Sequence, residues 1–246
     1  MIRFHGRSAV LVPTLSLVIL ACAGPAHRAV AESPAAKPSA APAVSAAKAE
    51  STAVRPDSVL AKPYPVEVPT PPDSILVSLL RQGNFVLLVR HAATDWGQRD
   101  ADIVNFGDRA AQRNLSEVGR AQADSIGKAS KALGLKIGAV YASPMYRCRD
   151  TAEIAFGRAD TTIDLFVKSK SSRDQRVKWL STPLADGALL VLVSHQDPYI
   201  PLFRFQRDQL KEGDALLIRP DGSDKWTILA QLSPKDWARL ASRYGR

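Results

Sequence analysis

Cysteine and histidine are both scarce in this chain, and each scarcity excludes a class of site. The 246 residues contain two cysteines, Cys22 and Cys148, and four histidines, His5, His27, His91 and His195. Cys22, His5 and His27 fall in an N-terminal stretch with the composition of a processed leader, so the folded part keeps one cysteine and two histidines. One cysteine makes no intradomain disulfide, and the ligands for a Cys/His zinc site are too few. A long apolar run is also missing: Ala9 to Ala21 is too short to span a bilayer stably as a helix. The formal net charge is +9, yet no run of Lys and Arg is interleaved with aromatics, which argues against nucleic acid as a partner. Residues 1–50 hold five basic and two acidic residues, which leaves +6 on the remainder. That balance favours anionic ligands.

The N-terminus reads as an export signal over residues 1–31. Arg3 and Arg7 supply its positive end, and the apolar stretch follows. Ile19-Leu20-Ala21-Cys22 resembles a bacterial lipobox, with Leu20 large where a small residue is usual, while Ala29-Val30-Ala31 offers a competing cleavage site. Two products stay open: a lipoprotein tethered to the membrane through lipidated Cys22, and a plainly secreted protein; an uncleaved anchor is the third reading. The expected location is the periplasm or cell envelope. Residues 32–72 are rich in Ala, Pro, Ser and Lys, a composition that buries too little apolar surface to offset chain entropy, so they read as a spacer. The domain is expected over residues 73–246.

Within it, helical and extended patterns alternate. Ile75, Leu76, Leu79 and Leu80 share a helix face that stops at Gly83. The apolar run Phe85 to Val89 predicts a buried strand that ends in Arg90-His91. A long polar loop, Thr94 to Asn114, follows and is a candidate substrate-facing segment. Ser116 caps a helix to about Leu133, Ile137 to Ala142 is a strand, and Ser143-Pro144 predicts the start of a helix through Phe156. Thr161 to Phe166 reads as a strand and Arg173 to Leu180 as a short helix. Ala188 to Val193 is the most apolar strand and ends just before His195. Two strands, Ala215 to Ile218 and Trp226 to Leu229, turn at Pro220-Asp221-Gly222, and Ser233-Pro234 opens a last helix to about Arg243. Continuous apolar strands joined by helices predict an α/β fold with a mainly parallel sheet covered on both faces, whose ligands bind at the carboxyl ends of strands.

Arg90-His91, Ser143 to Arg147, and His195 all follow predicted strands, so three distant segments converge on one crevice. Forked guanidinium groups suit phosphate oxygens, and an arginine in the first turn of a helix, like Arg147, is electrostatically misplaced unless an anion binds there. Neutral His91 is a competent nucleophile toward phosphorus, and a protonated His195 would stabilise the equatorial oxygens. Such a site calls for no metal and no other cofactor. Taken singly, each residue has a bland reading: a strand-end histidine is more often a hydrogen-bonding group, Cys148 a small buried hydrophobe, and Trp179, Trp226 and Trp237 packing residues.

Four segments together resemble the histidine phosphatase superfamily, which includes phosphoglycerate mutases and acid phosphatases. Leu87-Leu88-Val89-Arg90-His91-Ala92-Ala93-Thr94 is similar to its Arg-His-Gly/Ala-x-Thr signature. Asn114 to Ala123 resembles its Leu-Ser/Thr-x-x-Gly-x-x-Gln-Ala helix start, and Ser143 to Ala152 its Ser-x-x-Arg-x-x-x-Thr-Ala segment. Val191 to His195 is similar to the strand that delivers the second histidine. The resemblance is to branch 1 and an exported bacterial member, and it implies a three-layer α/β/α sandwich of the phosphoglycerate mutase type. It further implies that His91 is phosphorylated, that His195 is its catalytic partner, and that Arg90, Arg147 and Thr94 hold the phosphate.

One expected element is missing. Many members place a glutamate proton donor after the third motif, whereas this chain reads Ile163-Asp164-Leu165-Phe166-Val167-Lys168. Asp164 and Asp197 are the candidate donors, with Asp174 a third, and Gln196 separates Asp197 from His195. Without an acid, the substrate needs a good leaving group, such as phosphohistidine or an acyl phosphate. The expected activity is phosphomonoester hydrolysis on a small phosphorylated substrate or a phosphoprotein, with a mutase disfavoured in an exported setting. The alternative class is a module that binds a phosphorylated ligand without turnover.

Overall fold

The computed structural model describes residues 66–246. The export signal, the lipobox at Cys22 and residues 32–65 of the spacer lie outside the described residues. At its end the spacer segment meets the domain: Val66 and Val68 pack against a core cluster, and Gln209 Nε2 donates to the Val66 carbonyl at 2.6 Å. Among the described residues no helix is long and apolar enough to cross a membrane.

Six strands form one sheet: β1 (Val86–Arg90), β2 (Ile137–Ala142), β3 (Asp160–Thr161), β4 (Leu189–Ser194), β5 (Ala215–Gly222) and β6 (Lys225–Leu232), in the order β3-β2-β4-β1-β5-β6. β3, β2, β4 and β1 pair in parallel, β5 runs antiparallel to β1, and β6 antiparallel to β5. Alternation along β1 divides the core. Leu87 and Val89 join the cluster under α1 (Asp73–Gln82), α2 (Glu117–Ala132), α3 (Tyr146–Phe156) and α6 (Pro234–Tyr244). Val86 and Leu88 join the other, under α4 (Lys170–Ser181) and α5 (Ile200–Phe203). Both faces of the central strands are thereby buried, which gives the three-layer sandwich and explains why β1 and β4 read as unbroken apolar runs.

Several local expectations need correction. Ser143 does not cap α3, which begins at Tyr146 with Met145 as its N-cap, because the Ser143 hydroxyl is drawn to His195. Thr161 to Phe166 is not a strand: β3 stops at Thr161, and Thr162 caps a single 3-10 turn over Ile163–Leu165. α4 starts earlier than expected, at Lys170, because Ser169 accepts from the Ser172 N–H. The hairpin turn sits at Ser223-Asp224, both with positive φ, while Pro220 remains in the ladder opposite Trp226. α5 carries no periodic signal long enough to read.

Candidate active site

β1 and β4 are neighbours in the sheet, with Arg90 in register with Ser194, so their chains leave the core side by side. The imidazoles of His91 and His195 lie with ring centroids 5.3 Å apart. They line a cleft of 760 Å³ together with Arg90, Arg113 and Arg147. The crevice expected from three separated segments is present.

The motifs act mostly through backbone. After His91 the chain crosses the start of α2, where a Cβ on Gly119 would lie 1.9 Å from the Ala93 carbonyl oxygen, so only glycine permits the approach. Ala93 accepts from the Ser116 N–H at 3.0 Å, and its own N–H donates to Gln122 Oε1 at 2.9 Å. Ser116 also caps α2 by accepting from the Gly119 N–H. From α3, Thr151 Oγ1 accepts the Ala92 N–H at 3.0 Å and donates to the Arg147 carbonyl at 2.7 Å. Two helices therefore clamp the residues that follow the first histidine, and one of them carries Arg147.

His91 is buried, and its Nδ1 lies 3.0 Å from the Ala92 carbonyl. A carbonyl only accepts, so Nδ1 carries the hydrogen and the Nε2 lone pair is free. Burial, with the charges of Arg147, Arg90 and Arg113 adding to it, holds the His91 pKa well below the usual histidine range. His195 is likewise held low, by burial first and then by His91 and the same arginines. Its Nε2 lies 2.9 Å from the Ser143 hydroxyl and 3.5 Å from Cys148 Sγ. The Cys148 thiol is itself pushed up to about 12 by burial, so it stays protonated.

The arginines are arranged for an anion. The Nε atoms of Arg90, Arg113 and Arg147 are all buried without a hydrogen-bond partner. Carboxylates hold part of each fork: Arg147 Nη1 donates to Asp100 at 2.9 Å, and Arg90 lies 3.8 Å from both Asp208 and Glu212. Arg90 also donates to the Leu210 carbonyl at 2.6 Å, which fixes the direction of its fork.

Not every expected residue is at the cleft. Thr94 is buried behind it, its N–H and hydroxyl donating to the two oxygens of Glu212 at 3.1 and 3.0 Å. It holds the loop base instead of facing the cavity. Asp164 is away from the cleft as well, its carboxylate accepting from Ser172 at 2.8 Å and Thr162 at 3.2 Å. Asp174 lies on the surface of α4, paired with Lys170. Asp197 does line the cleft, between Lys168 at 3.9 Å and Arg207 at 3.5 Å. Sequence reasoning missed Arg113, Asp100, Trp96 and Glu212. Arg113 stands immediately before the Asn114-Leu115-Ser116 run, the one local signal that could have singled it out; the others carry none. Among the described residues no group of three or more His, Cys, Asp or Glu is placed to hold a metal ion.

The family model described as "Histidine phosphatase superfamily (branch 1)" matches residues 86–166. No curated protein matches the chain significantly. Among solved structures, the chain is similar to the protein histidine phosphatase SixA complexed with tungstate, at 16% identity and a TM-score of 0.46, covering 62% of this chain and 98% of that one. It is also similar to a putative phosphohistidine phosphatase SixA from Agrobacterium tumefaciens, at 21% identity and TM-score 0.42, covering 61% and 98%. A third is phosphoserine phosphatase from Entamoeba histolytica in complex with 3-phosphoglyceric acid, at 14% identity and TM-score 0.43, covering 62% and 98%.

Proposed function

The stretch 86–166 belongs to the histidine phosphatase superfamily, branch 1, and on that premise we propose that this protein is a phosphatase that works through a phosphohistidine on His91. Superfamily members are phosphatases or mutases. The observation that carries the reading is the state of His91: neutral, pinned through Nδ1, with a free Nε2 in a cleft lined by three arginines.

In the reaction, the His91 Nε2 lone pair attacks phosphorus and the bond from phosphorus to the leaving oxygen breaks. The leaving oxygen departs with the bonding pair and takes its proton from solvent; water then attacks the phosphohistidine, the Nε2–phosphorus bond breaks with its pair returning to Nε2, and inorganic phosphate leaves carrying the water's oxygen and protons. The forks of Arg90, Arg113 and Arg147 neutralise the phosphoryl oxygens in both steps, so the protein's own cations carry the charge. The incoming phosphoryl dianion displaces Asp100 from Arg147. It also favours protonation of His195, which then donates to an equatorial oxygen. Export to the periplasm or envelope completes the reading, supported by Arg3, Arg7 and the apolar stretch Ala9 to Ala21.

Acid quench of the full chain during turnover of a radiolabelled phosphomonoester should leave acid-labile label on His91. His91→Ala should lower kcat by on the order of 10⁴-fold or more, as loss of a nucleophile does. Retention of turnover by His91→Ala would overturn the mechanism.

A further inference from the structure

The cleft has two unlike parts above its cationic floor. On one side stands an apolar crescent: Trp96 and Ile103 from the 94–114 loop face the cavity together with Phe166 and Val167. Trp96 is 71% exposed and Ile103 50%, an unusual cost for two large apolar residues on a polar loop. Trp96 is nonetheless fixed. The Arg113 guanidinium lies 3.9 Å from its ring centroid, so the indole is held at the mouth by the same arginine that serves the floor. Phe166 is fixed too, edge-on to His195 at 5.5 Å and to Phe106 at 5.4 Å.

With phosphorus against His91 and its oxygens toward the arginines, the leaving group is the part of the substrate that projects to this crescent. A flat apolar ring gains contact there, whereas a charged amine or a sugar hydroxyl gains none. The acids of the cleft agree. Asp100 is bonded to Arg147, Asp208 accepts from Gln196 at 2.9 Å, and Asp197 sits between Lys168 and Arg207. Each of the three has a cationic or amide partner of its own, and none is bonded to a cleft histidine. An aryl oxide leaves without a strong acid, and an alkoxide does not. A cleft of 760 Å³ is of small-molecule size.

We infer that the substrates are small phosphate monoesters of aromatic alcohols, with the ring seated against Trp96, Ile103 and Phe166. The assignment rests on the phosphatase reading for its chemistry but is tested by binding, which needs no turnover. Titration of the full chain with naphthylmethylphosphonate and with methylphosphonate should show the naphthyl compound binding at least about tenfold tighter, an increment typical of one ring stacked on an aromatic side chain. Trp96→Ala should remove most of that ratio and Trp96→Phe should restore much of it. Because Trp96 is mostly exposed, neither change endangers folding. Equal binding of the two phosphonates, or a ratio unmoved by Trp96→Ala, overturns the inference. Hydrolysis of a phosphotyrosine peptide in preference to naphthyl phosphate overturns its small-molecule part. Tight naphthyl selectivity with no hydrolysis of naphthyl phosphate upholds the subsite and overturns the phosphatase reading instead.

Discussion

The floor of the cleft and its rim are built by opposite means. Floor residues sit at strand ends or in a helix first turn, are buried, and are oriented by backbone groups: His91 by the Ala92 carbonyl, Arg90 by the Leu210 carbonyl, Arg147 by its place in α3. Rim residues stand on loops, are more exposed, and are held mainly through side chains: Trp96 against the guanidinium of Arg113, which reaches up from the floor, and Arg207 and Lys168 near Asp197. The floor therefore recognises what all phosphomonoesters share, and the rim what distinguishes them. Loops of this kind tolerate exchange, while a buried, backbone-fixed charge does not.

Paired arginine substitutions break the comparison most sharply. The Arg147 side chain is 7% exposed and that of Arg207 is 69% exposed, although both line the cleft. Arg147→Ala should reduce kcat/KM about 10²- to 10³-fold, as removal of a charge-stabilising donor from an enclosed site does. Arg207→Ala should cost less than about tenfold. Steady-state kinetics on one aryl phosphate measures both, and equal losses would erase the distinction between floor and rim.

The same contrast explains what could be read in the sequence. Arg90, His91, Arg147 and His195 were legible because β1 and β4 are unbroken apolar runs whose ends are easily seen, and because the segments holding Gly119, Gln122 and Thr151, which the structure shows clamping the backbone after His91, resemble a known family's motifs. Thr94 and Ser143 were visible as residues but misjudged in role. A hydroxyl's partner depends on what tertiary structure brings near, here Glu212 from 118 residues away and His195 from 52. The loop stayed dark for a related reason: Asp100 and Trp96 sit in a segment without period, where nothing local distinguishes the residue that turns inward from its neighbours, and only Arg113, just before the Asn114-Leu115-Ser116 run, had a local marker.

Acidity sharpens the comparison from another side. His91 and His195 are both held well below the ordinary 6.5, by burial first. The acid limb of kcat/KM, which reports the free enzyme, should therefore lie below pH 6.5. Arg147→Ala should move it upward, since the Arg147 charge is the next cause of the low His91 value. Stability follows the same linkage. Below pH 6.5 the unfolded chain takes up protons that the buried imidazoles refuse, so stability is full above that pH and falls as pH drops toward the folded values. The slope reaches about 1.4 kcal/mol per pH unit for each histidine. Denaturant titrations from pH 7.5 to 5.5 should show this loss, and saturating inorganic phosphate should reduce it by favouring the protonated form of His195.

The smallest effect is expected at Asp197, the one of the two acids first named as donors that reaches the cleft. Its carboxylate lies between Lys168 and Arg207 on the rim, with no oxygen bonded to the floor histidines. General acid catalysis contributes about 10²- to 10⁴-fold where it operates, so the test separates the alternatives widely. Asp197→Asn should change kcat on a naphthyl or phenyl phosphate by less than about threefold, because an aryl oxide departs unaided and the rim does not set the rate of phosphoryl transfer. A loss near 10²-fold on these substrates would make Asp197 the acid, and would move one essential catalytic group from the backbone-fixed floor to the side-chain-held rim.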